Sequence, residues 1–222
     1  MKKKKWGWEM RLYDYFRSSA AYRVRIVLNL KGLEAERVYV HLARGEQHGA
    51  EYKAVNPQGL LPVLVDDDGT TVSQSLAIIE YLDDIHPNPR LLPADTPGRA
   101  RVRSLAYQIA CEIHPLNNLR VLKYLTGEMG LSEEQKLTWY RHWIATGFEA
   151  LEKTLAASDD TGDFCHGNQP GLADVCLVPQ VFNARRFDCD LSPYPTITRI
   201  ADHCNTIEAF AAAAPGRQPD AE

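Results

Sequence analysis

The sequence predicts an α/β domain followed by an all-α domain. Up to residue 85, short runs with the two-residue period of a strand alternate with runs of helical spacing. From Arg99 onward, apolar residues recur almost only at helical spacing. We therefore predict an N-terminal extension at residues 1–9 and domains at 10–92 and 97–222. Prolines that cannot continue a helix indicate an extended linker between the domains: Pro87, Pro89, Pro93 and Pro97.

The first domain opens with a predicted strand and helix. An aromatic and apolar run at residues 12–16 is typical of a short buried strand. The hydroxyls of Ser18 and Ser19 are suited to cap the next helix, because they accept hydrogen bonds from its unpaired N–H groups. Helical spacing continues to about Leu30, and Gly32 ends the helix.

The remainder of the first domain completes a predicted mixed sheet. Residues 37–42 alternate between polar and apolar, which indicates a strand with one buried face. Residues 60–65 and 70–72 flank Asp68-Gly69, a strong turn pair, and together predict a hairpin. A helical run follows at 78–85. We expect a small mixed sheet covered by helices.

The second domain is predicted to be entirely helical. The polar, proline-interrupted residues 215–220 are expected to be irregular and to lie on the surface or fray. Helical spacing covers residues 99–129, 133–155, 172–187 and 196–214.

Composition excludes several classes of function. The 25 basic and 29 acidic residues are well mixed, so no strongly basic face for nucleic acid is expected. The basic residues 2–5 are not followed by an apolar run, which argues against a signal peptide or a membrane segment. The five cysteines form no C-x-x-C pair, which favours a reducing cytoplasm without disulfides or a bound metal.

One peptide, residues 17–25, combines features that stabilise an anion. The start of a helix presents unpaired N–H groups and a partial positive charge, and Arg17 adds a full charge beside Ser18. A thiol bound at this point would have a lowered pKa, because hydroxyl donors and positive charge favour the thiolate. The alternative interpretation is that Ser18 and Ser19 only cap the helix.

Two further segments extend the pattern. Residues 56–64 read Asn-Pro-Gln-Gly-Leu-Leu-Pro-Val-Leu, and residues 74–82 begin with Gln-Ser. With residues 17–25, in this order, the chain resembles the glutathione transferase superfamily. The resemblance implies a thioredoxin-like first domain with a cis-proline before its third strand, at Pro62, and a helical second domain.

Glutathione is the cofactor that this resemblance implies. The backbone of Val63 is expected to pair with its cysteinyl part, and Gln74 and Ser75 are expected to hold its γ-glutamyl carboxylate at a helix start. A cap or a helix interruption is the structural alternative for these positions. The implied glutathione-binding residues are Ser18, Leu61, Pro62, Val63, Gln74, Ser75, His114, Asn117 and Asn118.

Within the superfamily the chain is most similar to the zeta class, also known as maleylacetoacetate isomerases. Residues 18–28, Ser-Ser-Ala-Ala-Tyr-Arg-Val-Arg-Ile-Val-Leu, match the class signature. The match continues at residues 114–119, 173–181 and 217–220. Ala20 departs from the pattern, because the class usually has a cysteine at this position. The hydroxyl-based mechanism does not need that thiol.

The implied reaction is the cis–trans isomerisation of maleylacetoacetate to fumarylacetoacetate. Addition of a thiolate to the double bond leaves a rotatable single bond, and elimination restores the alkene. Ser18, Ser19 and Arg17 are the expected catalytic residues. Arg17, Arg120 and Arg186 are expected to bind the dicarboxylate substrate, although a surface role for Arg120 stays open.

Three alternative functions use the same fold. They are a maleylpyruvate isomerase, a transferase acting on α-haloacids, and a non-catalytic glutathione-binding protein. Tyr13 and Tyr15 are alternative thiol-activating residues, because several transferase classes use a tyrosine on this strand. The resemblance also implies a homodimer.

Overall fold

The computed structural model describes residues 10–222, so the predicted extension at 1–9 lies outside the described residues. The chain forms two compact units. The first extends to Pro89 and also includes Ala209–Glu222, whereas the second is Arg90–Glu208. The predicted domain limits at 92 and 97 stay a prediction. The last residues of the chain, however, group with the first unit.

A four-stranded mixed sheet forms the first unit, in the order β2-β1-β3-β4. Strand β1 is parallel to β2 and antiparallel to β3, and β3 is antiparallel to β4. This confirms the predicted strand–helix–strand unit followed by a hairpin. The strands are β1 Arg11–Asp14, β2 Glu36–Tyr39, β3 Val63–Val65 and β4 Thr71–Ser73.

All four strands differ in their limits from the prediction: β3 begins at Val63 rather than at residue 60, and β4 covers Thr71–Ser73 rather than 70–72. β1 ends at Asp14 rather than at residue 16, because the backbone of Tyr15 and Phe16 binds charged side chains instead of a neighbouring strand. β2 begins at Glu36 because its four residues pair with the four of β1. The apolar alternation at 37–42 therefore continues past the end of the strand.

Helices α1 Ser19–Lys31, α2 Ala50–Val55 and α3 Ser75–Ile85 accompany the sheet. α1 is confirmed with both of its predicted ends. It ends at Gly32, whose φ of 63° is a left-handed conformation that glycine adopts without strain. α2 was not predicted, since its six residues are too few to establish a helical period.

The second unit is helical, as predicted, but the expected helix over 99–129 is interrupted. A π-helical turn at Gln108–Ile113 and a 3₁₀ turn at His114–Asn117 separate α4 from α5. Pro115 has no N–H to continue the α-helical ladder, and Asn118 caps a new helix. The helices are α4 Thr96–Tyr107, α5 Leu119–Gly127, α6 Glu133–Ala156, α7 Leu172–Arg186 and α8 Pro195–Asn205.

The residues after α8 return to the first unit. A four-residue helix, α9 Glu208–Ala211, buries Phe210 completely, and a 3₁₀ turn follows at Pro215–Arg217. The Gln218 side chain donates to the carbonyls of Ala212 and Ala214 at 2.8 and 2.9 Å. Of the two expected alternatives, the tail lies on the surface, with Gly216, Arg217 and Pro219 exposed, and local side-chain hydrogen bonds keep it from fraying.

None of the helices within residues 10–222 is both long enough and apolar enough to cross a membrane.

Candidate functional site

A buried ion pair lies beneath the loop between β1 and α1. The side chains of Asp14 and Arg25 are almost completely buried, and Arg25 Nη1 lies 2.7 Å from Asp14 Oδ1. Arg37 approaches the other carboxylate oxygen, with its Nη1 at 2.9 Å. Burial lowers the pKa of Arg25, and the neighbouring Asp14 carboxylate opposes that shift. Paired in this way, both charges are tolerated inside the unit.

The same guanidinium holds the loop that precedes Ser18. Arg25 donates to the carbonyls of Tyr15 at 3.3 Å and Phe16 at 2.9 Å. The N–H of Tyr15 donates to Asp14 at 2.8 Å, and that of Phe16 donates to Asp220 at 3.0 Å. Four backbone groups of two consecutive residues are thus bonded to charged side chains, which fixes the direction in which the chain enters α1.

Ser18 lies at the position predicted for it, as the N-cap of α1. Its backbone is extended, and its hydroxyl oxygen accepts a hydrogen bond from the N–H of Ala21 at 3.2 Å. A serine hydroxyl that accepts still carries one proton to donate. Because Ser18 is only half-buried, that proton can be given to a ligand at the positive end of the helix. Capping and ligand binding are therefore compatible roles.

The residues near Ser18 differ in how far their side chains are exposed to solvent. Arg17 is half-buried, with its guanidinium 4.6 Å from the centre of the Phe16 ring and its Nη2 4.0 Å from Glu222. Ser19 is 7% exposed, and Tyr15 is 5% exposed, packed edge-on against Phe16. Ser18 is more accessible than Ser19 or Tyr15, which favours it as the thiol-activating group.

The peptide bond between Leu61 and Pro62 is cis, as the resemblance implies, and it lies directly before β3. Val63 is already part of the sheet, opposite Tyr13 and Ser73. Leu61 makes no backbone hydrogen bond within residues 10–222. Its N–H and C=O are therefore the groups beside Pro62 that a peptide-like ligand can bind.

Gln74 and Ser75 lie at the start of α3. Gln74 has a φ of 73°, a backbone conformation that residues other than glycine rarely adopt. Its side-chain amide donates to Gln58 Oε1 at 2.8 Å. Ser75 is 6% exposed, and its hydroxyl oxygen accepts a hydrogen bond from Arg23 Nη1 at 3.3 Å. A strained residue at a helix start is a feature of ligand-binding sites.

The other predicted glutathione-binding residues lie together in the second unit, at the interruption between α4 and α5. Asn118 is the N-cap of α5, and its Oδ1 accepts from the N–H of Arg120 at 3.1 Å. His114 Nε2 lies 3.4 Å from the Asn118 amide. Asn117 is buried and donates to the Tyr140 carbonyl at 3.3 Å, while its Oδ1 lacks a partner within the described chain. The side chain of Arg120 is exposed.

Arg186 is the last residue of α7 and is exposed. Its guanidinium lies 5.0 Å from the centre of the Phe187 ring, which stacks on Tyr140 at 4.0 Å. Since the Tyr140 carbonyl accepts a hydrogen bond from Asn117, two aromatic residues, Phe187 and Tyr140, connect Arg186 with the interruption after α4. Arg185, its neighbour, pairs instead with Asp202 at 2.8 Å.

The structure also identifies contributors that the sequence did not single out. Asp220 and Arg25 hold the loop before Ser18, and Arg23 contacts Ser75. Asp220 belongs to a matching motif, but no local pattern indicates that it reaches Phe16, 204 residues earlier. Arg23 and Arg25 belong to the matching signature at residues 18–28, but their partners Ser75 and Asp14 are not indicated by any local pattern.

Comparison with known proteins gives a consistent result. The family model described as "Glutathione S-transferase, N-terminal domain" matches residues 17–85. A probable maleylacetoacetate isomerase of Vibrio cholerae is 55% identical over 95% of this chain and 97% of its own length.

Solved structures extend the similarity to the whole fold. A bacterial maleylpyruvate isomerase of the zeta class, solved in its holo form, has a TM-score of 0.93 and 46% identity, and covers 96% of this chain and 100% of its own. The maleylacetoacetate isomerase of Methylobacterium extorquens AM1, solved with malonate and GSH, also has a TM-score of 0.93, with 42% identity over 96% of this chain and 99% of its own.

Asp14→Asn is expected to lower the free energy of unfolding by about 3 to 5 kcal/mol, because it leaves the buried Arg25 without its counter-charge. Urea unfolding followed by circular dichroism measures this loss. The control is Glu149→Gln, which removes an exposed partner of Lys153 and should change stability little. Equal stability of the two variants would contradict a central role for the buried pair.

Proposed function

Because the chain belongs to the zeta-class glutathione transferase and maleylacetoacetate isomerase family, we propose that it is a glutathione-dependent cis–trans isomerase that converts maleylacetoacetate to fumarylacetoacetate. The observation that carries this proposal is the 55% identity to such an isomerase over 95% of the chain. The retained hydroxyl of Ser18 at the start of α1 supports it.

The residues of the first unit fit glutathione. Leu61 offers a free backbone N–H and C=O to the cysteinyl part, beside Pro62 and Val63. The start of α3, with Gln74 and Ser75, offers N–H groups and a partial positive charge to a carboxylate. His114, Asn117 and Asn118 of the second unit complete the proposed set.

Bound glutathione supplies the thiol that adds reversibly to the conjugated double bond. The Ser18 hydroxyl donates a hydrogen bond that favours the thiolate, and the positive end of α1 acts in the same direction. Arg17 adds positive charge near the position where the substrate becomes negatively charged after thiolate addition. Ser19 is the second hydroxyl proposed to stabilise the thiolate. Burial raises the pKa of the Cys165 and Cys204 thiols, so neither is suited to act as the nucleophile.

Arginines are proposed to bind the dicarboxylate. Arg186 is exposed, and its guanidinium lies over the face of the Phe187 ring, a cation–π contact that limits the positions the guanidinium can take. Arg17 and Arg120 are the other proposed carboxylate ligands. Arg120 is exposed at the start of α5, and within residues 10–222 no hydrogen bond or ion pair holds its guanidinium.

The remaining proposals concern organisation and location. We propose that residues 10–92 bind glutathione and 97–222 the substrate. Family membership supports a homodimer. The five cysteines are free thiols, which suits a reducing cytoplasm.

Maleylpyruvate isomerase is the second candidate function. It is favoured by the similarity to a solved zeta-class maleylpyruvate isomerase, which has the same TM-score as the solved maleylacetoacetate isomerase. The two reactions use the same chemistry on substrates of different length, so the first unit does not distinguish them.

The deciding experiment follows the absorbance of maleylacetoacetate and, separately, of maleylpyruvate with the purified protein, with and without catalytic glutathione. We expect glutathione-dependent loss of the first substrate at the higher kcat/KM, with glutathione not consumed. Preference for maleylpyruvate would support the second candidate. Consumption of glutathione with an α-haloacid would indicate a transferase, and binding of glutathione without any turnover would indicate a non-catalytic role.

Ser18→Ala is expected to lower the isomerisation rate by about 10²- to 10³-fold, with a much smaller change in glutathione affinity, because the hydroxyl bond strengthens as charge develops on sulfur. Ser18→Gly is the matched variant. Glycine is a tolerated N-cap, so it separates the loss of the hydroxyl from the loss of the cap. If either variant keeps the parent rate, another residue activates the thiol.

Arg186→Ala is expected to raise KM for the dicarboxylate by about tenfold or more, because a charge-assisted pair with a carboxylate is lost. The neighbouring Arg185→Ala is the control, since Arg185 is paired with Asp202. Steady-state kinetics over a range of substrate concentrations provides the measurement. An unchanged KM for Arg186→Ala would remove this residue from the substrate site.

A further inference from the structure

Arg23 is a buried cation without a counter-ion in the part of the chain that the structure describes. The residue is 2% exposed, and its Nη1 donates to the Ser75 hydroxyl oxygen at 3.3 Å. Its Nε and Nη2 are buried, and no described residue forms a hydrogen bond with them. No ion pair joins Arg23 to a carboxylate of residues 10–222. An uncompensated buried charge disfavours the folded state, so its presence calls for a physical reason.

Arg25, two residues further along α1, is a buried arginine that has both a counter-ion and hydrogen-bond partners, and it serves as a comparison for Arg23. It binds the Asp14 carboxylate and the carbonyls of Tyr15, Phe16 and Ala213. The fold therefore supplies partners for one buried guanidinium of α1 and not for the other. The difference indicates that residues 10–222 do not provide the missing partner of Arg23.

Among the described residues, Ser75 provides the one polar contact of Arg23, and this contact directs the guanidinium to the start of α3. Ser75 is the first residue of that 11-residue helix, and the helix has no acidic residue in its first turn. The partial positive charge of the helix start and the full charge of the guanidinium therefore act at the same place, and no carboxylate of residues 10–222 pairs with the guanidinium. Such a place is suited to a ligand carboxylate.

We infer that Arg23 is a positioning residue for the proposed glutathione site. It orients the Ser75 hydroxyl and supplies the charge that balances the γ-glutamyl carboxylate. This inference rests on the proposed function. It predicts that removing the charge stabilises the protein without ligand and weakens the binding of glutathione. An arginine with a purely structural role would not produce this combination.

Arg23→Met keeps an unbranched apolar stem and removes the charge. Without ligand, its melting temperature is expected to be higher than that of the parent by about 2 °C or more, because an unpaired buried charge is gone. Its affinity for glutathione is expected to fall by about tenfold to a hundredfold. Arg23→Lys keeps the charge and is expected to retain more of the affinity than Arg23→Met.

The experiment is isothermal titration of parent, Arg23→Met and Arg23→Lys with glutathione and with cysteinylglycine, which lacks the γ-glutamyl group. Differential scanning calorimetry is run on the same proteins without ligand. The effect of Arg23→Met should be large for glutathione and less than about twofold for cysteinylglycine. Ser75→Ala should weaken glutathione binding too, and its effect should not add to that of Arg23→Met.

Three results would overturn the inference. One is an Arg23→Met protein that binds glutathione as tightly as the parent. A second is equal weakening of both ligands together with a lower melting temperature, which indicates a structural role only. The third is dissociation of an oligomer by Arg23→Met in sedimentation, which assigns the missing anion to a second copy of the chain. A parent that binds no glutathione would instead contradict the proposed function itself.

Discussion

The buried pair of Asp14 and Arg25 is the interaction on which the geometry of the first unit depends. Removing a charge from water is costly unless the charge is paired and hydrogen-bonded, and here one guanidinium binds a carboxylate and three backbone carbonyls. Those partners come from the end of β1, from the following loop and from the residues after α9. The start of α1, with Ser18, is therefore fixed by the same contacts that join these segments.

Three of the residues proposed to bind ligands share one structural position. Ser18, Ser75 and Asn118 lie at or next to the first residue of a helix, where the backbone has N–H groups without intrahelical partners. Ser18 and Asn118 also cap their helices, so their side chains are held in place without a ligand. Glutathione carries two carboxylates and a thiol that can ionise, so helix starts are suitable partners for it.

Much of this arrangement was predictable, and the limits have physical reasons. The α1 helix and its caps follow from local rules at Ser18 and Gly32, and the hairpin follows from its turn residues. The helix interruption at Pro115 also had a local signal, which the regular spacing of apolar residues concealed. The contact of Asp220 with Phe16 had none, because such a bond depends on the complete fold. Local sequence rules reach only the near neighbours of a residue.

The position of residues 209–222 has a consequence for how the protein is made. The first unit is discontinuous, since its final segment is synthesised after the entire second unit. While the chain emerges from the ribosome, the N–H of Phe16 lacks its Asp220 partner and Arg25 lacks the carbonyl of Ala213. The loop that leads to Ser18 can therefore reach its final form only after residues 209–222 have been synthesised, although its own residues are made before the whole second unit.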